Sequence, residues 1–181
     1  MSPFRITAAA TLLTSRVFRV ERRTIEGGDR AFHRDVVVHP GAVAILALDA
    51  AGRVGIVRQY RATVDRVTTE IPAGTLDHEG EEPQAAAARE LAEELGVTAR
   101  HWRLLARLLV SPGWTSQVMH VFEATGIEET ARDPAGPEEA ASTVAWVEPR
   151  ELFDLVRSGE PVDATLTVAL HRLAGGLFPD A

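Results

Sequence analysis

Three carboxylates, Glu90, Glu93 and Glu94, lie close together near the end of a predicted helix. Pro83 suits the first position of this helix, because its missing N–H needs no partner there, and Gly96 suits the left-handed residue that ends it. On one face of the helix, Glu90 and Glu94 would repel each other by roughly 0.2–0.5 kcal/mol. Glu93 and Glu94 also meet the negative end of the helix dipole. This arrangement opposes folding, so it indicates a chemical use for the carboxylates.

A divalent cation would reverse the sign of each of these repulsions. Mg²⁺ prefers carboxylate oxygens and keeps part of its coordination for water and substrate phosphates. The spacing therefore predicts a metal site on Glu90 and Glu94, with Glu93 as the next ligand. The competing interpretation is a solvated acidic face on which Arg89 pairs with Glu93 at i,i+4. The helix alone is compatible with both.

A longer string around the helix distinguishes these interpretations. The chain reads Gly74-Thr-Leu-Asp-His-Glu-Gly-Glu81, then seven residues, then Arg89-Glu-Leu-Ala-Glu-Glu-Leu-Gly-Val97. It closely resembles the signature of the Nudix family, which is Gly, five residues, Glu, seven residues, then Arg-Glu-aliphatic-any-Glu-Glu-any-Gly-aliphatic. Every fixed position from Glu81 to Val97 matches. Six residues separate Gly74 from Glu81, and Gly80 gives the loop a flexible place to absorb the extra one.

Three shorter stretches outside this signature resemble the ADP-ribose pyrophosphatase branch of the family. They are Val57-Arg-Gln-Tyr-Arg61, Glu70-Ile-Pro-Ala-Gly74 and Ser111-Pro-Gly113. The resemblance implies an α/β fold with a mixed sheet in an α/β/α sandwich. It implies hydrolysis of ADP-ribose to AMP and ribose 5-phosphate, with Mg²⁺ as cofactor and Mn²⁺ able to replace it. It also implies that the segment before Val36 is a β-rich part through which these enzymes form homodimers.

The resemblance assigns roles to individual residues. Attack by water needs a base, and in this branch the base is a glutamate on the loop after the signature. Glu138 matches this position best, Glu139 is the alternative, and Glu93 is a third catalytic candidate. The metal ligands are then Glu90, Glu93, Glu94 and the backbone carbonyl of Ala73. The implied substrate-binding residues are Arg58, Arg61, Glu70, Ser111 and Gly113.

These assignments have plainer alternatives. Arg58 and Arg61 could be solvated, Glu70 could cap a turn, and the loop that carries Glu138 could be a solvated acidic tip. Two other functions also stay open. One is the same chemistry on another nucleoside diphosphate derivative, such as a different ADP-sugar or an oxidised nucleotide. The other is a catalytically silent module that senses ADP-ribose, which the intact signature disfavours.

Composition fits a small enzyme rather than a nucleic-acid binder. The 181 residues are enough to bury about 70% of the unfolded surface. A net charge of −7 argues against a protein that binds nucleic acid through its phosphate backbone. The chain has no cysteine, which excludes disulfides and thiolate zinc sites. The apolar run from Ile6 to Leu13 is too short to span a membrane, so we expect a cytoplasmic protein without membrane or nucleic-acid partners.

The elements that position these residues read as strands first and helices later. We expect a β-rich segment at residues 1–35 and a catalytic domain at residues 36–181. One predicted hairpin turns at Glu26–Asp29, and a second turns at Asp49–Gly52. Polar residues from Gly126 to Ala141 predict a long loop. The predicted strands are Arg16–Ile25, Ala31–His39, Val43–Leu48, Val54–Arg58, Leu104–Val110, Val118–Ala124 and Thr143–Val147, and the later helices are Pro149–Arg157 and Ala164–Ala174.

Overall fold

The computed structural model describes residues 2–134 and 136–175. Parts of three predictions therefore lie outside the described residues: Met1 of the predicted β-rich segment, Ala135 of the predicted loop and the last residues, 176–181, of the predicted catalytic domain. The elements, in chain order, are β1 (Arg5–Thr14), β2 (Arg19–Gly27), β3 (Arg30–Val38), β4 (Ala42–Ala47), β5 (Val54–Arg61), β6 (Arg66–Glu70), β7 (Ala73–Thr75), α1 (Pro83–Leu95), β8 (Val97–Leu109), β9 (Val118–Glu129), α2 (Pro137–Ala140), β10 (Thr143–Val147), α3 (Pro149–Arg157) and α4 (Ala164–Leu173).

Two sheets form the middle of the molecule. One has the strand order β7-β4-β9-β8, and the other has the order β10-β5-β6. β4 runs parallel to β9, whereas the remaining pairs in these two sheets are antiparallel. The predicted mixed sheet is therefore confirmed.

The central strand β4 explains why helices cover both faces of this layer. All of its residues are buried, and side chains alternate between the two faces of a strand. Val43 and Ile45 belong to an apolar cluster that includes Leu91 of α1, whereas Leu46 belongs to a second cluster that includes Leu166 of α4. Each face of β4 thus has its own core. The α/β/α sandwich that the family resemblance implies is confirmed.

A third, antiparallel sheet contains β1, β2 and β3. β2 and β3 confirm the hairpin predicted around Glu26–Asp29. The sequence patterns do not predict β1, because every residue of this strand is exposed and its apolar residues do not alternate as they do in a half-buried strand. β3 continues to Val38, so the boundary predicted between residues 35 and 36 falls inside this strand.

The second predicted hairpin is wrong. A turn does form, with the N–H of Gly52 donating to the carbonyl of Asp49 at 3.0 Å. However, β4 and β5 on either side of it belong to different sheets and meet in an isolated bridge between Leu48 and Val54. Strands that are buried on both faces read as continuous apolar runs, and such runs do not indicate which strand lies beside them.

Other bounds also differ from the predictions. β8 begins at Val97 rather than Leu104, and β9 continues to Glu129 rather than ending at Ala124. The sequence patterns do not predict β6, β7 or α2, and α2 lies within the predicted loop. β10 and α3 have the predicted bounds. Within residues 2–134 and 136–175, no helix is long and apolar enough to cross a membrane.

Candidate active site

Helix α1 turns Glu90 and Glu94 toward the protein interior. It begins at Pro83 and ends before Gly96, which has a φ of 68° and donates its N–H to the carbonyl of Ala92 at 3.0 Å. Both predicted ends of the helix are confirmed. Glu90 and Glu94 retain only 7% and 2% of their accessible surface. A solvated acidic face therefore does not describe these two residues.

The short strand β7 receives both carboxylates. The N–H of Ala73 donates to Oε2 of Glu94 at 2.9 Å. The Glu90 carboxylate lies against Gly74, where an added Cβ would be 1.8 Å from its Cδ and 1.9 Å from its Oε1. Any side chain at position 74 would displace this carboxylate. Ala73 and Gly74 thus form, with α1, a compact acidic pocket that we call the α1 pocket.

Burial controls the protonation of the two glutamates. It raises the pKa of Glu90 to about 7, against the opposing effect of Arg89. It raises the pKa of Glu94 to about 8, against the hydrogen bond from Ala73. A divalent cation beside these groups would favour their ionised forms. The oxygen donors fit such a cation: Glu90 and Glu94 would hold it, with Glu93 and the carbonyl of Ala73 as further ligands.

Arg89 lies among the same carboxylates. Its Nη1 donates to Glu90 at 2.8 Å and to Glu93 at 2.9 Å, and its Nε and Nη2 donate to Glu81 at 3.1 and 3.2 Å. The longer loop therefore still delivers Glu81 to α1, with Gly80 at a φ of 77°. Among the described residues, no three metal-ligating side chains converge as they stand. A cation would compete with Arg89 for Glu90 and Glu93.

A cleft of about 490 Å³ contains Arg61 and Glu70. Nε and Nη2 of Arg61 donate to the two carboxylate oxygens of Glu70 at 2.9 and 2.6 Å, and Thr68 donates to the same carboxylate. Burial acts to raise the pKa of Glu70, but these hydrogen bonds hold it below its ordinary value. The hydrogen bonds to Glu70 and, more weakly, the charge of Glu94 raise the pKa of Arg61. The pair therefore lies within electrostatic reach of the α1 pocket.

Arg58 lies on the opposite face of β5 from Arg61, because side chains alternate along a strand. It lines a second cavity, of about 420 Å³, together with Tyr60 and Glu138. The structure therefore separates the two arginines that the sequence predicts as substrate ligands.

The two candidate bases are neighbours on α2, but they have different surroundings. The charge of Glu139 adds to the effect of burial in raising the pKa of both Glu90 and Glu94. Glu138 is exposed and lines the second cavity beside Tyr60. The charge of Glu139 thus reaches the α1 pocket, whereas Glu138 faces the second cavity.

Ser111 and Gly113 lie in the turn between β8 and β9. The N–H of Trp114 donates to the carbonyl of Ser111 at 3.1 Å, and the N–H of Val37 in β3 donates to the carbonyl of Trp114 at 2.8 Å. Neither Ser111 nor Gly113 lines the cleft of Arg61. Their role in substrate binding stays a prediction.

Two residues that the sequence patterns do not single out, Asp163 and Arg132, also contact the site. Asp163 caps α4 by accepting from the N–H of Leu166 at 2.8 Å, and it lines the cleft of Arg61. An aspartate before a helix is a local signal that could have been found. Arg132 donates to the backbone carbonyls of Glu94 and Glu139 and to the hydroxyl of Ser142. These partners lie in other segments of the chain, so no local pattern indicates them.

Comparisons with known proteins agree with this geometry. A family model described as the NUDIX domain matches residues 38–170. An ADP-ribose pyrophosphatase of Mycobacterium tuberculosis is 38% identical over 177 residues, which cover 96% of this chain and 86% of the relative. One of Bacillus subtilis is 37% identical over 144 residues, covering 80% and 77%. A crystal structure of an ADP compounds hydrolase shares the fold, with a TM-score of 0.80 over 97% of this chain and 94% of that chain at 21% identity.

Proposed function

The chain belongs to the Nudix family, and we propose that it hydrolyses the pyrophosphate of ADP-ribose to AMP and ribose 5-phosphate with Mg²⁺ as cofactor, which Mn²⁺ can replace. The observation that carries this proposal is the buried pair Glu90 and Glu94 against Gly74. Such a pair is costly in a bare protein and useful where a cation must meet an anionic substrate. The two ADP-ribose pyrophosphatase relatives support the choice of substrate.

Hydrolysis adds one water to the substrate. The water oxygen bonds to one phosphorus, the bond from that phosphorus to the bridging oxygen breaks, and two phosphate monoesters are released. We assign Glu139 as the group that accepts the water proton, because its charge acts on the α1 pocket, and keep Glu138 as the alternative. Bound by Glu90 and Glu94, the cation would offset the charge of the pyrophosphate and polarise its phosphorus–oxygen bonds.

Substrate selection is assigned to groups outside the α1 pocket, since the pocket itself addresses only phosphates. Glu70 holds the guanidinium of Arg61 in one orientation, and Arg61 would donate to oxygens of the substrate. Arg58 contributes from the second cavity. The assignment of Ser111 and Gly113 rests on the family resemblance. A site built from such hydrogen-bonding groups penalises analogues that leave them unpaired.

A phosphatase-coupled assay tests the proposal directly. AMP and ribose 5-phosphate release phosphate when treated with a phosphatase, whereas intact ADP-ribose does not. The purified protein is assayed with Mg²⁺ or Mn²⁺ on ADP-ribose, another ADP-sugar and GDP-mannose. For dGTP and an oxidised nucleotide, whose terminal phosphates a phosphatase would remove directly, and for all reactions in EDTA, the nucleotide products are separated by chromatography instead. We expect kcat/KM for ADP-ribose to exceed that for dGTP by at least about tenfold, or roughly 1.4 kcal/mol.

The same assay separates the alternatives. A preference for another nucleoside diphosphate derivative would keep the chemistry and replace the substrate. Absence of turnover on the whole panel, together with ADP-ribose binding measured by calorimetry, would identify a silent sensing module instead.

We also propose a homodimer formed through β1, β2 and β3, with residues 1–35 serving this contact and residues 36–181 the catalysis. Phe4, Ile6, Leu12 and Leu13 on or beside β1 are each more than 50% exposed, and grouped apolar side chains mark contact surfaces. Light scattering after gel filtration should give a dimer for the wild type and a monomer for the Leu12→Ser, Leu13→Ser variant. The proposal includes a cytoplasmic location and no nucleic-acid or membrane partner.

A further inference from the structure

The guanidinium of Arg132 joins the end of α1 to α2. Its Nε donates to the backbone carbonyl of Glu94, and its Nη2 donates to the backbone carbonyl of Glu139 at 3.0 Å. Nη2 also donates to the hydroxyl of Ser142, which in turn donates to the carbonyl of Glu139 at 2.7 Å. One planar side chain thus connects the backbone of a proposed metal ligand with the backbone of the proposed base.

Gly96 brings the segment that carries Arg132 close to α1. The N–H of Thr130 donates to the carbonyl of Gly96 at 2.8 Å. A Cβ at Gly96 would lie 3.2 Å from both the carbonyl oxygen of Thr130 and the Cβ of Arg132, and its φ of 68° disfavours other residues. The glycine that ends α1 therefore also leaves room for this crossing.

Helix α2 depends on such tertiary contacts for its position. It has four residues, none of them buried, and all of them are among the described residues. A helix of this length does not hold itself together in water. Displacing a catalytic group by about 1 Å can reduce a rate by about 10²-fold. Loss of the Arg132 contacts would therefore let α2 shift, and a shift of the catalytic group that α2 carries would lower the rate.

We propose that Arg132 is a positioning residue that fixes α2 to the C-terminal end of α1, so that the Glu139 carboxylate is held at the α1 pocket. The inference rests on the proposed function in one respect, namely that Glu139 acts on the bound substrate. Arg132 itself touches the two backbones and Ser142, and it acts on the reaction through Glu139.

Steady-state kinetics of Arg132→Met give the first test. We expect kcat for ADP-ribose to fall by about 10- to 100-fold, while KM and the calorimetric Kd for Mg²⁺ change by less than about threefold. Arg132→Lys should recover only part of the loss, because an ammonium group cannot reproduce the planar fork. Asp133→Asn, an exposed neighbour, should match the wild type. An Arg132→Met variant with wild-type kcat would overturn the proposal.

A double variant shows whether Arg132 acts through Glu139. In a Glu139→Gln background, Arg132→Met should lower kcat by less than about threefold more, since the positioned group is already gone. A further loss as large as in the wild-type background would contradict the inference. If Arg132→Met does not fold, Ser142→Ala takes its place, with an expected loss of about three- to tenfold in kcat and the same coupling to Glu139.

Hydrogen exchange tests the contact without any substrate. The N–H groups of Ala140, Ala141 and Ser142 donate to backbone carbonyls at 2.8, 3.1 and 3.0 Å. In Arg132→Met these amides should exchange at least about tenfold faster, whereas those of α1 and β10 should keep their rates. Unchanged exchange at α2, or equal acceleration everywhere, would overturn the proposal. An inactive wild type with this selective loosening would refute the proposed function and leave the positioning contact standing.

Discussion

Glu70 and Glu94 are both buried carboxylates, yet their surroundings shift their pKa values in opposite directions. Glu70 accepts both donors of the Arg61 fork, which holds its pKa below the ordinary value in spite of burial. Glu94 accepts one N–H, from Ala73, and lies near the negative Glu90, so burial raises its pKa to about 8. A buried glutamate is thus paired with a guanidinium in one region. In the other region, the negative charge of a buried glutamate is only partly compensated by a single N–H donor.

This difference suggests separate roles for the two regions, substrate recognition for one and metal binding for the other. A carboxylate that is already paired with an arginine orients a donor fork and needs no ligand to remain buried. A carboxylate pair without full compensation must take up protons or a cation. The Arg61–Glu70 pair therefore suits substrate recognition, whereas the α1 pocket suits a metal that is bound from solution.

Removing a carboxylate of the α1 pocket should have the largest effect. For Glu90→Gln or Glu94→Gln, we expect kcat/KM for ADP-ribose to fall by about 10⁴-fold, since the cation's charge stabilisation amounts to several kcal/mol. In EDTA at about pH 8, where both carboxyl groups are at least half ionised, the free energy of unfolding should stay equal or rise, because a poorly compensated buried charge is removed. Glu82→Gln, an exposed change at the start of α1, is the control. Retained Mg²⁺-dependent turnover in both variants would exclude this pair as the metal site.

The bases on α2 provide the next largest effect. Glu139→Gln should lower kcat by about 10²–10³-fold, within the range for loss of a general base, with little change in the Kd of substrate or Mg²⁺. Glu138→Gln should have a much smaller effect, because Glu138 lines the cavity of Arg58 and Tyr60. Single-turnover kinetics of the two variants measure this difference. If Glu138→Gln lowers kcat more than Glu139→Gln, the base is Glu138. If both variants keep most of their kcat, the base lies elsewhere in the chain.

The sequence predicts α1 better than the sheets that carry it. Pro83 and Gly96 are local signals, and the structure confirms both ends of the helix. The hairpin predicted at Asp49–Gly52 is wrong because β4 and the first half of β5, Val54–Val57, are buried on both faces, and a continuous apolar run does not encode its neighbour. β1 is missed for the opposite reason, since an exposed strand has no buried face to impose alternation.

The site shows the same division between local and long-range information. The spacing of Glu90 and Glu94 indicates their common face, and the structure buries both. The period of a strand could also have shown that Arg58 and Arg61 lie on opposite faces, although the family resemblance groups them. The contacts of Arg132 depend on where the chain crosses α1, which no short pattern encodes.

Breaking the pair of Arg61 and Glu70 should have a moderate effect. Arg61→Met leaves Glu70 buried without its partner, so we expect the free energy of unfolding to fall by about 2–3 kcal/mol, and less if water reaches the carboxylate. The preference for ADP-ribose over dGTP should shrink by about tenfold. The matched variant Arg61→Met, Glu70→Leu should recover most of the stability and none of the preference. Unchanged preference in both variants would remove Arg61 from substrate selection.

The smallest expected effect is on the pH dependence of stability, where Glu94 and Glu70 should change the free energy of unfolding in opposite directions. The pKa of Glu94 is raised from 4.5 to about 8 in the folded protein, so its contribution to stability is full below about pH 4.5 and is lost as the pH rises through about 8. The pKa of Glu70 is lowered, so its contribution is present above about pH 4.5 and is lost as the pH falls through the lower folded value.

Urea unfolding without metal between about pH 3 and 9, with EDTA present on the alkaline side, measures both limbs. From pH 5 to 8, the wild type should lose about 1–2 kcal/mol relative to Glu94→Gln, which has no carboxyl group to titrate at this position. Below pH 4.5, the wild type should instead lose stability relative to Glu70→Gln. Saturating Mg²⁺ should cancel the alkaline loss, because the cation binds the ionised carboxylates and stabilises the folded state by mass action. Parallel curves for the wild type and Glu94→Gln would mean that Glu94 is already compensated without a metal, and the contrast with Glu70 would then disappear.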